Sequence, residues 1–261
     1  MNKQRIFIDA GHNHSGFNTG AVGNGMKEQD ITFEVAKHLQ NILKNDFEIK
    51  LSRPTNETNL GHDNNSSINT RVNMSNAWGA DYFISIHVNA AGGTGAETFY
   101  WGHDAKKFAT TIQKTYAKEM SLRDRRTEAT DRFGVIRNTN CPAILIELAF
   151  IDAPQNKSDL NILRYKRNEM AQAVAKGIYK YFKIEPIGRP SVSSSSSGTV
   201  DIEYRGKVYQ VKADNINGGF ISNIGELSKV FGDLKLPIRA TLEQAGLRVD
   251  WNEITRTVKV T

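Results

Sequence analysis

Four residues in the first part of the chain are of types that do chemistry and stand where ordinary packing would not put them: His12, Glu28, His87 and Glu147. His12 follows Ile6-Phe7-Ile8, a short apolar run suited to a buried strand, which Asp9-Ala10-Gly11 breaks just before two histidines. A polar group is thereby delivered at a strand end, where sites in parallel or mixed sheets are usually built. His87 sits in Ser85-Ile86-His87-Val88-Asn89, on the opposite pleat from Ile84, Ile86 and Val88. Glu147 interrupts the apolar run Ile144-Leu145-Ile146-Glu147-Leu148, where an ionised carboxylate without a partner is expensive to bury. Two imidazoles and one carboxylate with a fourth position open to water are the pattern of a catalytic zinc centre, and a second carboxylate nearby supplies its general base. Each residue also has a plainer reading. His12 could be a turn histidine, Glu28 a helix-start acid favoured by the helix dipole, His87 a core histidine bonded to a carbonyl, and Glu147 a buried acid paired with Arg71 or Arg137.

The elements that must position these groups follow from periodicity. Ile31, Val35, Leu39, Ile42 and Leu43 recur at helical spacing and predict a helix from near Glu28 to Lys44. Phe47 to Ser52 reads as a second strand, Thr55 to Asn69 as a polar loop, and Asn69 to Trp78 as a short helix that carries Arg71 and ends at Gly79. Tyr82 to Val88 is the next strand, and Glu97 to Trp101 follows after the loop Gly92 to Gly95. Asp104 to Met120 presents Phe108, Ile112 and Tyr116 along one helical face. Val135 to Asn138 and Ala143 to Leu148 are expected as the last two strands, and Lys166 to Phe182 as the final helix. Strands alternating with helices argue for an α/β domain with a mixed, mostly parallel central sheet flanked by helices on both faces.

Residues 186–198, Pro-Ile-Gly-Arg-Pro-Ser-Val followed by five serines and Gly198, break that pattern and read as a linker. Residues 199–261 are expected to form a small α+β domain with a hairpin at Val200–Val211, a helix near Ile224 to Phe231 and a second hairpin at Leu247–Thr261.

The totals narrow the function classes. The 261 residues carry a formal charge of +6, but the basic residues are scattered apart from Arg123-Asp124-Arg125-Arg126. No stripe of cations interleaved with aromatics suggests a nucleic-acid partner. A mild positive charge favours approach to an anionic polymer or surface. Cys141 is the only cysteine, so any metal must be held by His, Asp or Glu. No stretch approaches the roughly 18 apolar residues of a membrane span, so no stable membrane insertion is expected. The apolar run behind Met1 to Arg5 is too short for a signal-peptide core. The expectation is synthesis in the cytoplasm and release by some other route.

Four ordered segments carry a resemblance: Ile8-Asp9-Ala10-Gly11-His12; Gly20 to Thr32 with Glu28; Ala80 to Ala90 with His87; and Pro142 to Ile151 with Glu147, with the Arg71 helix between the second and third. Together they resemble the zinc-dependent N-acetylmuramoyl-L-alanine amidases of the amidase-3 family, over about residues 4 to 184. The resemblance implies a zinc amidase catalytic domain at residues 1–185, with His12, Glu28 and His87 as zinc ligands and Glu147 as the catalytic glutamate. It implies hydrolysis of the amide between N-acetylmuramic acid and L-alanine in peptidoglycan. Asn13-His14-Ser15 departs from the family's usual pattern and leaves His14 open as a substrate contact or a solvated loop residue; His38, His62 and His103 match nothing.

Two other readings stand beside this one: a zinc peptidase that cuts the stem peptide, and a wall-binding protein without catalysis. Residues 199–261 resemble the small stalk-type repeat named after the amino-terminal domain of copper amine oxidases, which implies a cell-wall ligand and no copper chemistry. An amidase with a linker and a tail domain resembles a phage or prophage endolysin released through a holin-type pore. A mother-cell amidase of sporulation has the same outline.

Overall fold

The computed structural model describes residues 3–102, 104–155, 157–185, 198–204, 207–213, 249–252 and 257–260. The chain divides into two compact units, Met1–Ile187 and Gly188–Thr261.

The first unit runs β1 (Arg5–Ala10), β2 (Val22–Gly23), β3 (Met26–Lys27), α1 (Glu28–Leu43), β4 (Glu48–Leu51), α2 (Asn64–Trp78), β5 (Tyr82–Asn89), β6 (Ala96–Trp101), α3 (Ala105–Glu119), β7 (Asp124–Ala129), the single turn α4 (Gly134–Arg137), β8 (Ala143–Phe150), α5 (Ser158–Tyr165) and α6 (Arg167–Phe182). Six strands form one sheet in the order β4-β1-β5-β8-β6-β7. The first four are mutually parallel; β6 pairs antiparallel with β8 and parallel with β7.

Alternation along the strands builds the two layers. Ile6, Ile8, Ile84, Ile86, Ile144 and Ile146 share one face, and their cluster includes Val35 and Leu39 of α1, Phe108 and Ile112 of α3 and Val174 and Ile178 of α6. Phe7, Phe83, Phe99 and Leu145 share the other, where Ile68, Met74 and Trp78 of α2 and Val135 and Ile136 of α4 cover them. In α1 the fully buried Ile31, Val35, Leu39 and Leu43 lie four residues apart, each worth roughly 1.5–3 kcal/mol relative to exposure. The mixed, mostly parallel sheet with helices on both faces matches the expectation.

Two local expectations do not hold. Val135 to Asn138 is a helical turn: Phe133 O accepts from the N–H groups of both Ile136 and Arg137, and both apolar residues of the segment point into the α2 side of the core. The strand lies earlier, at β7, an edge strand of charged and polar residues that no apolar alternation marks. Helix α2 starts at Asn64, well before Asn69, because the Asp63 carboxylate accepts from Ser66 N–H while Ser66 Oγ accepts from Asp63 N–H, a reciprocal cap.

In the second unit, β9 (Gly198–Tyr204), β10 (Lys207–Ala213), β11 (Val249–Asn252) and β12 (Thr257–Val260) form a sheet in the order β10-β9-β12-β11. The β9/β10 and β11/β12 pairs are antiparallel, and β12 joins β9 in parallel. Gly198 thus opens a strand. The helix expected near Ile224 to Phe231, and residues 186–197 of the expected linker, lie outside the described residues.

Candidate metal centre

Parallel pairing of β1 with β5 places Ala10 beside Ile86, so the residues that follow, Gly11 and His87, are neighbours at the carboxyl ends of the two strands. Gly11 N–H continues the pairing to Ile86 O at 3.1 Å. A Cβ on Gly11 would fall 2.6 Å from that oxygen and 2.7 Å from the His87 ring, so only glycine lets the imidazole lie here. The chain then turns at His12, whose φ of 67° is left-handed, and its ring meets that of His87 edge-on at 4.7 Å between centroids.

Glu28 opens α1, where the positive end of the helix favours an acid. Its Oε1 lies 3.0 Å from His12 Nε2 and 3.1 Å from His87 Nδ1, and also accepts from Val88 N–H at 2.9 Å. Its Oε2 accepts from Ala21 N–H at 2.9 Å. Burial pushes the Glu28 carboxyl up, but the hydrogen bonds and charges of His12 and His87 outweigh it and hold the group well below the usual carboxylate range. Burial, against the pull of Glu28, lowers the His87 imidazole from its ordinary value.

The orientation of the His12 ring can be read from its partners. Asn18 Nδ2 donates to Ser67 Oγ at 3.1 Å, which orients the amide and leaves Asn18 Oδ1 facing His12 Nδ1 at 3.1 Å. That oxygen only accepts, so Nδ1 is the nitrogen that donates to Asn18 and Nε2 is the one turned to Glu28, 3.0 Å from its Oε1, where a proton or a metal ion can lie between them. The donor atoms of His12, Glu28 and His87 all fall within 4.8 Å of one another. Ligands of a tetrahedral ion with bonds of about 2.0–2.1 Å stand about 3.3 Å apart, so the set fits one small divalent cation. Gly20, with φ of 78°, closes the pocket: a Cβ there would meet the His12 ring at 2.7 Å and Glu28 Oε2 at 2.8 Å.

Glu147 is level with His87 on the adjacent strand β8, and level in turn with Glu97 on β6, which pairs with Arg126 on β7. A row of polar groups therefore crosses the sheet from the metal pocket to its edge. Glu97, 2% exposed, accepts from Arg125 Nε at 2.5 Å, Arg126 Nε at 3.2 Å and Asn89 Nδ2 at 3.1 Å. Glu147 has no comparable support, for its buried Oε2 has no hydrogen-bond partner. Arg71 binds Asp9 and Arg137 binds Asp131 O, so neither neutralises Glu147 as the plainer reading required. Burial, followed by repulsion from Glu28 and Glu97, pushes its carboxyl well above the usual range.

Three of the four residues singled out in the sequence thus meet at one place, and the fourth, Glu147, stands level with His87 on the next strand. Among the described residues no other group of histidines, cysteines and acids converges in this way. His14 stands outside it, its Nδ1 buried without a partner and its carbonyl 3.5 Å from Gln29 Nε2. His62 is exposed beside Asp63, and His103 lies outside the described residues. Asn18, Gly20, Arg53 and Glu97 escaped the sequence reading because polar loop residues, a glycine and an acid at the start of a strand carry no periodic signal.

Comparison with known proteins agrees with this geometry. Residues 6–180 match the model of the N-acetylmuramoyl-L-alanine amidase family, amidase-3. The chain is 33% identical over 218 residues to the sporulation-specific N-acetylmuramoyl-L-alanine amidase of Bacillus subtilis, covering 81% of this chain and 78% of that one. It is 32% identical over 192 residues to an endolysin of Bacillus phage SPP1, covering 69% and 66%. A crystal structure of N-acetylmuramoyl-L-alanine amidase from Clostridium difficile 630 superposes with a TM-score of 0.62 at 30% identity, over 70% of this chain and 98% of that one. The readings as a stem-peptide peptidase and as a non-catalytic wall-binding protein fall away. The chain belongs to the amidase-3 family of N-acetylmuramoyl-L-alanine amidases, hydrolases of the bond between N-acetylmuramic acid and L-alanine in peptidoglycan.

Proposed function

We propose that the enzyme works with a single zinc ion held by His12, Glu28 and His87, and with Glu147 as general base. The observation that carries this reading is the approach of His12 Nε2 and His87 Nδ1 to one oxygen of Glu28, beside a Glu147 oxygen that has no partner. Two nitrogens and one oxygen, with no thiolate, suit zinc. Zinc there supplies acidification of a water molecule and polarisation of the amide carbonyl. Glu147 Oε2 takes the proton of the attacking water and returns it to the alanine nitrogen as the C–N bond breaks. Asn18 holds the His12 tautomer, and the backbone N–H groups of Ala21 and Val88 hold Glu28, so the donor set is preorganised. Metal analysis of active enzyme, joined to identification of the products as lactyl-bearing glycan and peptides with N-terminal alanine, tests the reading.

For the whole chain, the proposal is a lysin whose tail domain at 199–261 binds the cell wall and whose catalytic domain at 1–185 reaches peptidoglycan through a holin-type pore. The likeness to a phage endolysin supports it. The likeness to a sporulation-specific amidase favours a mother-cell role instead. No helix among the described residues is long and apolar enough to cross a membrane. Expression timed with a neighbouring holin-like gene supports the first role; expression confined to sporulation supports the second.

A further inference from the structure

We infer that Arg71, assisted by Arg53, is a positioning residue for the metal site, holding the backbone of His12 in the left-handed turn that aims its imidazole at Glu28. The inference rests on His12 being a metal ligand. Arg71 lies on α2 and is 2% exposed. Its Nη1 donates to Asp9 Oδ1 at 2.5 Å and Ala10 O at 2.7 Å, and its Nη2 to His12 O at 2.5 Å and Asn13 Oδ1 at 3.1 Å. Arg53, fully buried, donates from Nη1 to Gly11 O, His12 O and Gln29 O at 3.0–3.3 Å. Thr32 Oγ1 adds a bond to Gly11 O at 2.8 Å.

Three consecutive carbonyls, Ala10, Gly11 and His12, are thus turned into the protein and gripped by two guanidinium groups. This is unusual company for like charges. Burial, then the neighbouring Arg71, brings the Arg53 guanidinium down to about 10, still protonated at neutral pH. Asp9 is the one buried carboxylate in the cluster, Asp30 and Glu57 also attract Arg53, and the loop carbonyls share with Gln29 O and Asn56 O in solvating the second cation. The consequence falls on His12. A non-glycine residue at φ 67° is strained, and it persists only where surrounding bonds over-determine it. With its carbonyl drawn inward by both arginines, the His12 side chain is directed outward to the pocket. The planar fork of Arg71 spans Asp9 and His12 O together, which an ammonium cannot do.

The test is zinc affinity, measured on the full-length, metal-free protein by competition with a chromophoric chelator, beside thermal unfolding and steady-state kinetics. Arg71→Lys is expected to weaken zinc binding by roughly 10- to 100-fold, as loss of support behind a ligand does, and to lower kcat at saturating zinc with KM unchanged. Val72→Ala, the neighbouring buried position on the same helix, is expected to lower Tm without moving zinc affinity. If Arg71→Lys does not fold, Arg53→Gln decides: weaker zinc binding in a folded protein supports the inference, and unchanged binding overturns it. Zinc affinity of Arg71→Lys within twofold of wild type overturns it, as does an equal loss in Val72→Ala. Failure of the wild type itself to bind zinc would instead remove the metal reading on which the inference rests.

Discussion

His87 and Glu147 stand opposite each other on the parallel strands β5 and β8, the last pair in register before the ladder slips between His87 and Asn89. Neighbouring strands lie about 4.8 Å apart, so the imidazole and the carboxyl leave the same face of the sheet at the same level. At the slip, Val88 N–H is given to Glu28 Oε1. One irregularity in a β-ladder therefore ties the first residue of α1 to the histidine and leaves the glutamate beside them both.

Glu147→Gln keeps the shape of the side chain and cannot accept a proton. Turnover is expected to fall by about 10² or more, the usual contribution of a general base, with zinc content unchanged. Assays of turnover and bound metal on the same preparation check this. Zinc lost along with activity, and activity regained on adding metal, would make Glu147 a ligand.

His87→Ala removes one of three donors. Metal and activity are expected to disappear together, and chelation of the wild type should reproduce the loss reversibly on adding zinc back. Elemental analysis that found fully active enzyme without stoichiometric metal would falsify the three-residue site.

Gly20→Ala is expected to abolish zinc binding in a protein that still folds. The new Cβ would collide with the His12 ring and Glu28 Oε2, and the φ of 78° disfavours any side chain there. Gly16→Ala serves as the control, since its φ of 80° is equally left-handed but a Cβ there meets nothing within 4 Å. Similar zinc affinity in the two variants would show that backbone strain, and not the collision, matters.

Much of this site could be read from residue order, and the exceptions share a cause. Glu147 was legible as a charge inside an apolar run, and His87 as the polar pleat of an apolar strand. The first turn of helix α2 was not, because Asn64 to Ser67 carries no apolar residue and is set by the reciprocal cap of Asp63 and Ser66. Strand β7 was missed for a related reason: Arg126 pairs with Glu97, so its contribution to the sheet is an ion pair where periodicity looks for an aliphatic side chain. The turn at Val135 to Asn138 was too short for any period to separate helix from strand. Where polar networks support the site, hydrophobic pattern is silent.

Acid stability follows from Asp9. Burial alone would raise this carboxyl, but Arg71 and the hydroxyls of Ser85 and Ser52 hold it below its ordinary value of 3.8. A folded value below the unfolded one contributes stability that is fully present above the unfolded value and lost as pH falls through the folded one. Asp9→Asn leaves Arg71 buried without a counter-ion and is expected to cost about 3–5 kcal/mol at neutral pH. The gap in stability between wild type and Asp9→Asn should then shrink as pH falls below the ordinary value of 3.8. Denaturant titrations of both metal-free proteins across that range check it, and a gap independent of pH would mean that Asp9 is not ionised in the native state.

The last prediction concerns the two units. His12, Glu28, His87 and Glu147, with every residue described as supporting them, fall within Met1–Ile187. The core cluster that places them closes on α6, which ends at Phe182. Residues 1–185 alone are therefore expected to stay folded, to bind zinc and to cleave small soluble muropeptides at near the full rate. If the tail binds wall, its removal costs local concentration at an insoluble substrate and nothing at a soluble one, because tethering raises avidity without new contacts at the active site. Lysis of whole cells should then weaken selectively, and residues 199–261 should sediment with purified walls. Truncation that left lysis unchanged, with a tail that did not sediment, would make the second unit a spacer. Equal loss on soluble and insoluble substrates would mean that the tail supports the catalytic fold, and the unfolding temperature of residues 1–185 would then fall below that of the full chain.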